Sequence, residues 1–175
     1  KCIFIYDQFN QYPMDLDKVV QDTAKDVWRT MGPGYLEGHY HQAMVGQLHK
    51  EHVPCGSEVT LTQTYAGLHI GAAKSRRADI IIYRGDVAVV VEIKTINDVG
   101  LDALTQLGTY LTQGQFSVGY LINFPKFTNT PTIAKLMSAS PEEMSNALSK
   151  LNNFRIYKVE KLTENGGKFE YNVTD

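Results

Sequence analysis

The chain has 175 residues, of which 43% are hydrophobic and 21% charged, so it is long and apolar enough to bury one core without a disulfide or a structural metal. Seventeen Lys and Arg against nineteen Asp and Glu leave a formal charge of -2, which excludes a protein that coats nucleic acid by bulk charge and requires any polyanion site to be a local basic patch. Two cysteines, Cys2 and Cys55, exclude an iron–sulfur cluster and an all-cysteine zinc site, and no apolar run reaches the about 18 residues of a membrane span, so the expectation is an intracellular protein that is neither secreted nor membrane-bound.

Leu16, Val19, Val20, Ala24, Val27, Trp28 and Met31 recur at spacings of three and four and predict an amphipathic helix over 15–31, stopped by Gly32-Pro33-Gly34. Leu36, Tyr40, Ala43, Met44, Gln47 and Leu48 predict a second helix to about His52. After the break at Val53-Pro54-Cys55-Gly56, alternation of Val59, Leu61, Gln63 and Tyr65 predicts a strand over 59–66. Arg77 to Tyr83 and Val87 to Lys94 are β-branched runs joined by Arg84-Gly85-Asp86, a hairpin signal. Leu101, Leu104, Leu107 and Leu111 predict a third helix over 98–112, and Phe116 to Phe124 reads as an apolar strand closed by Pro125. Ser140-Pro141-Glu142-Glu143 opens a short helix to about Leu151, and Phe154 to Leu162 with Lys168 to Val173 predicts a terminal hairpin. No linker divides the chain, which is read as one domain.

With Gly85 and Asp86 as the central residues of the turn, Arg84 faces Val87 and, counted back along both strands, Asp79 faces Glu92. Opposed residues have Cβ atoms about 4.5–5.5 Å apart, so two carboxylates stand side by side. Period-two geometry puts Lys94 on the same face and turns Ile93 to the other, with its backbone carbonyl a further candidate ligand. Two opposed acids are unfavourable unless a cation lies between them, and a hard divalent ion with oxygen ligands suits the place. A solvated ion-pair ladder explains the same spacing. Against it, Val87 to Val91 is apolar on both faces, the mark of a covered central strand.

Arg77-Ala78-Asp79, then Glu92-Ile93-Lys94, then Gln106 with Tyr110 four positions on, resembles the PD-(D/E)XK nuclease superfamily, including the QxxxY helix of several exonuclease branches. Gly34-Tyr35-Leu36-Glu37-Gly38-His39-Tyr40 is similar to the GxxExxY signature of one family within it. The resemblance runs from about Gly32 to Phe124, with Ala78 where the superfamily's name has Pro. It implies an α/β (α+β), restriction-endonuclease-like fold. Its core would be a helix, three antiparallel strands, a helix and a strand, with a mixed central sheet flanked by helices. The nuclease core would occupy 34–124, with a helical extension over 1–31 and a helix-and-hairpin extension over 125–175.

The same resemblance implies a nuclease that cleaves phosphodiester bonds with Mg²⁺ or Mn²⁺. Asp79 and Glu92 would hold the metal, Glu37 would complete the acidic cluster and the Ile93 carbonyl would add a ligand. Lys94 would position the attacking water or offset charge on the phosphate, and Gln106 and Tyr110, sharing one helix face, would address the phosphate or Lys94. Lys74, Arg76 and Arg77 form the local basic patch, and Tyr40, one turn from Glu37, is placed with them as a nucleic-acid contact, core packing being its other reading. A zinc site built on His41 or on His49 and His52 lacks a complete ligand set. DNA is the expected partner ahead of RNA; endonuclease against exonuclease and self-association stay open. The competing class is a non-catalytic nucleic-acid-binding or scaffold module on the same fold.

Overall fold

The computed structural model describes residues 15–61, 64–65, 68–69, 76–96, 98–113, 116–125, 140–141, 154–161 and 169–174. Helix α1 (Leu16–Met31) begins where Asp15 accepts hydrogen bonds from the amides of Asp17 and Lys18, and ends at Gly32, whose φ of 66° suits a residue without Cβ. It is followed by α2 (Glu37–Lys50) and β1 (Cys55–Leu61). Two short strands, β2 (Thr64–Tyr65) and β3 (Leu68–His69), form a ribbon of their own. Then come β4 (Arg76–Arg84), β5 (Val87–Lys94), α3 (Leu101–Gln113), β6 (Val118–Asn123), β7 (Arg155–Lys161) and β8 (Phe169–Thr174).

Six strands form one sheet in the order β1-β4-β5-β6-β7-β8. Only β5 and β6 run parallel, as a strand pair joined through a crossover helix must, and the other neighbours are antiparallel. The mixed sheet flanked by helices is the restriction-endonuclease-like architecture that the motifs imply. Its two faces bury separate clusters. Val20, Ala24 and Val27 of α1 and Tyr40, Met44 and Leu48 of α2 pack on Ile80, Ile82, Val91, Ile93 and Ile122, whereas Leu107, Tyr110 and Leu111 of α3 pack on Ile81, Val90, Leu121 and Val159. Strand β5 is therefore covered on both sides.

The differences from the sequence reading have local causes. The first strand starts at Cys55 rather than Val59, because Cys55, Gly56 and Ser57 continue the pairing opposite Ile82, Ile81 and Ile80 although their composition reads as a turn. Thr64 and Tyr65 belong to the separate ribbon. Helix α3 begins at Leu101, three residues after the expected start. The terminal hairpin is present as β7 and β8, and β7 pairs with β6, so it extends the central sheet. The expected helix over 140–151 lies outside the described residues beyond Ser140 and Pro141. No helix among the described residues is long and apolar enough to cross a membrane.

Candidate active site

The β4–β5 hairpin turns through Gly85, whose φ of 55° fits the first central position of a type II′ turn, and it sets the register Arg84↔Val87 through Ile80↔Val91. The pairing stops there, one step short of Asp79 and Glu92. The Ile93 amide donates to Asp79 Oδ2 at 2.7 Å, so a side-chain carboxylate stands in for a backbone acceptor. The Asp79 carbonyl is 3.0 Å from His41 Nε2 on α2.

Glu92, on the α3 side of the sheet, is 2% exposed. Its Oε1 accepts from Lys94 Nζ at 2.5 Å and from Gln106 Nε2 at 2.9 Å, while its Oε2 is buried with no hydrogen-bond partner among the described residues. Burial foremost, then the charge of Asp79, pushes the Glu92 pKa from 4.5 up to about 7, against the downward pull of Lys94; Glu37 adds a smaller upward push. Burial also works against the Lys94 ammonium. The Glu92 carboxylate beside it, with the charges of Glu37 and Asp79, outweighs that and holds its pKa above the ordinary lysine value. Lys94 is thus charged at neutral pH.

Gln106 and Tyr110 meet in space as their spacing on α3 predicts. The Gln106 amide nitrogen carries two hydrogens and reaches both Glu92 Oε1 and the Tyr110 hydroxyl, the latter at 2.6 Å. The Tyr110 hydroxyl donates to the Arg77 carbonyl at 3.0 Å. Burial raises the Tyr110 pKa, which keeps the phenol neutral and able to donate. The pair ties α3 to β4 and fixes one oxygen of Glu92; neither residue hydrogen-bonds Lys94.

Tyr40 is a correction. Its ring is fully buried, stacked on Phe124 with centroids 4.2 Å apart and planes 6° from parallel, and its hydroxyl donates to the Gly32 carbonyl at 2.7 Å. It is a core residue that pins the α1–α2 connection and offers no surface to a nucleic acid. Arg76 and Arg77 are exposed at the start of β4, where Arg77 pairs with Glu58 at 3.1 Å; Lys74 lies outside the described residues. Glu37 stands in the first turn of α2, within electrostatic reach of both Glu92 and Lys94. The Ile93 side chain is buried on the α1–α2 side of the sheet.

Among the described residues no three His, Cys, Asp or Glu side chains come close enough together to hold a metal by themselves. The charges of Asp79 and Glu37 act on Glu92 without the three forming a closed ligand set. The donor chemistry still fits a hard divalent cation. The atoms offered are carboxylate oxygens, and one of them, Glu92 Oε2, is desolvated and unpaired, a cost that a cation would offset.

Two contacts of the site lie beyond sequence reasoning. His41, weighed above only as a zinc ligand, contacts the Asp79 carbonyl through its imidazole. Asn123, 1% exposed at the end of β6, accepts from the Ile96 amide at 3.1 Å and donates to the Ile96 carbonyl at 2.9 Å, which fixes the chain as it leaves Lys94. The only sequence signal for it is a polar residue closing the apolar run Tyr120-Leu121-Ile122.

A mixed sheet covered by helices on both faces, with an acid and a lysine on one central strand and a second acid on the next, defines the class of restriction-endonuclease-like nuclease folds. The family model of the PD-(D/E)XK nuclease superfamily matches residues 14–136, and the chain belongs to that superfamily. The match takes in α1, ahead of the motif-bearing stretch. Nucleases of this superfamily generally use divalent metals such as Mg²⁺. No curated protein matches the sequence. Among solved structures, the chain is similar to one titled "Crystal structure of SSO0001", with 22% identity and a TM-score of 0.36. That alignment covers 58% of this chain and spans just over half, 56%, of the other.

Proposed function

We propose that the protein is a metal-dependent deoxyribonuclease of the GxxExxY type that hydrolyses phosphodiester bonds with water as the nucleophile. The observation that carries this reading is the buried Glu92, with one oxygen held by Lys94 and Gln106 and the other without a partner among the described residues. Mg²⁺ or Mn²⁺ held by Asp79 and Glu92, with Glu37 and the Ile93 carbonyl as further ligands, would supply Lewis acidity at a phosphoryl oxygen and lower the pKa of bound water.

The remaining work falls to this chain's own groups. Gln106, backed by Tyr110, holds Glu92 Oε1 so that Oε2 is presented in a fixed direction. Lys94 keeps its proton and offers a cationic Nζ to the attacking water or to the charge that grows on the phosphate. Arg76 and Arg77, with Lys74 preceding them, supply the local positive charge that a chain of net charge -2 needs to attract a polyanion.

The test is incubation of the purified protein with labelled single-stranded, double-stranded and branched DNA, and with RNA, in Mg²⁺ or Mn²⁺, beside the Asp79→Ala and Lys94→Ala variants. Metal-dependent cleavage of DNA that both variants lose is expected. Absence of cleavage by the unaltered protein on every DNA, or undiminished cleavage by the variants, overturns the proposal. Cutting of RNA alone moves the substrate class.

A further inference from the structure

Asp79 lies at a break in two ladders at once. On the β1 side the pairing runs Cys55↔Ile82, Gly56↔Ile81 and Ser57↔Ile80, then resumes at Val59↔Ala78, so Glu58 and Asp79 are skipped without a change of register. On the β5 side the pairing ends at Ile80↔Val91. Antiparallel strands exchange backbone hydrogen bonds at every second pair. Tyr83 bonds the Pro54 carbonyl at 2.9 Å, and two such steps along, the next bond-exchanging pairs are Ile81 with Gly56 and Asp79 with Glu58. In a regular ladder the Asp79 carbonyl would therefore take the Glu58 amide. Glu58 has φ of 51°, a left-handed conformation that a side-chain-bearing residue adopts only where its surroundings hold it there.

A side-chain donor to the Asp79 carbonyl comes from α2. His41 Nε2 is 3.0 Å away, and since a carbonyl only accepts, that nitrogen carries the hydrogen. Ser57 Oγ, 3.2 Å from the same nitrogen, is then a second acceptor. On the other edge of β4 the two-residue turn makes Arg84/Val87, Ile82/Val89 and Ile80/Val91 the bond-exchanging pairs, so the Ile93 amide would next take the Ala78 carbonyl. It takes Asp79 Oδ2. One residue is thus held from both sides by bonds foreign to the sheet.

We propose that His41 is a positioning residue: its imidazole donates to the Asp79 carbonyl, and so fixes the peptide from which the Asp79 carboxylate reaches the Ile93 amide and the neighbourhood of Glu92. Its role in catalysis rests on the nuclease reading above; its role in placing Asp79 does not. Glu37 lies one turn before His41, so one helix carries both an acid toward the site's charges and the donor that sets the Asp79 backbone.

The test reads the Ile93 amide by NMR in the metal-free protein, with His41→Leu, which removes the donor, His41→Asn, whose amide nitrogen falls short of the Nε2 position, and His41→Gln, whose amide nitrogen reaches it. Loss of the donor is expected to shift the Ile93 amide resonance and speed its hydrogen exchange by about tenfold or more, with the Ile81 and Tyr83 amides unaffected, while Gln preserves both readouts. Should the Leu variant not fold, the Asn variant makes the same comparison. An unchanged Ile93 amide in the Leu or Asn variant overturns the proposal, as does a Gln variant that behaves like Leu. Where wild-type protein cleaves DNA, Leu is further expected to lower kcat with little change in KM and Gln to restore it. A protein that cuts nothing leaves the amide comparison decisive for His41 and fails the nuclease reading alone.

Discussion

Replacing Glu92 by Gln keeps the side chain's size and its capacity to hydrogen-bond but removes the charge, and the consequence is a pH dependence of known sign. A carboxyl whose pKa rises from 4.5 to about 7 on folding binds its proton more tightly in the native state, so between those values the native protein holds more protons than the unfolded chain. Its contribution to stability is present in full below pH 4.5 and is lost as pH rises through 7. At about 1.4 kcal/mol for each of the roughly 2.5 pH intervals spanned, the ionised carboxylate costs on the order of 3 kcal/mol in the metal-free fold, a sum that already includes the attraction of Lys94. The Gln variant carries none of this. Urea unfolding of both proteins in chelator from pH 4.5 to 8.5 is the assay, because every other titrating group is common to the two and cancels in the difference. The stability difference is expected to move in favour of Glu92→Gln by about 3 kcal/mol across the window. A difference that stays constant to within about 0.5 kcal/mol would show that Glu92 ionises freely in the fold and would refute the burial argument.

Three further outcomes follow from the same geometry. Removal of Lys94 in Lys94→Ala takes away the cation that pulls the Glu92 pKa down, so the Glu92 titration, followed by NMR of the side-chain carboxyl, should move further up; an unmoved titration would deny the contact. A methyl group at Gly119 would meet Leu107 Cδ1 at 2.9 Å and Leu111 Cδ2 and Val90 Cγ1 at 3.0 Å, so Gly119→Ala should push α3 off the sheet and cost about 1–3 kcal/mol in denaturant unfolding. Tyr40→Phe should cost about 1 kcal/mol by leaving the Gly32 carbonyl unpaired and should leave nucleic-acid affinity unchanged; weakened binding in a fully folded variant would return Tyr40 to the interface.

The hairpin was readable because Gly85 sits between two β-branched runs, and the turn alone fixes which residues oppose each other as far as Ile80 and Val91. The acid at position 92 could be recognised as unusual from the apolar run that precedes it. What the sequence could not carry is the contact of the Asp79 carbonyl with His41, which lies on a helix 38 residues away. The Gln106–Glu92 and Asn123–Ile96 bonds are likewise tertiary: helical or strand spacing puts a side chain on a face but does not name its partner. Tyr40, Met44 and Leu48 mark one buried stripe at four-residue spacing, a pattern that assigns Tyr40 to the core, its second reading in the sequence. Edge strand β1 was partly missed because it needs no continuous apolar run to pair on one side.

In the proposed reaction phosphodiester hydrolysis depends on a cation at Glu92 Oε2, which has no partner among the described residues. The most direct measurement is the rate of labelled-DNA cleavage as Mg²⁺ is titrated, for the wild-type protein and Glu92→Gln side by side. The wild type should show cleavage that rises with Mg²⁺ and saturates, and the Gln variant should stay at the level of buffer throughout. Cleavage by Glu92→Gln with the wild-type Mg²⁺ dependence would overturn the proposed role of Glu92.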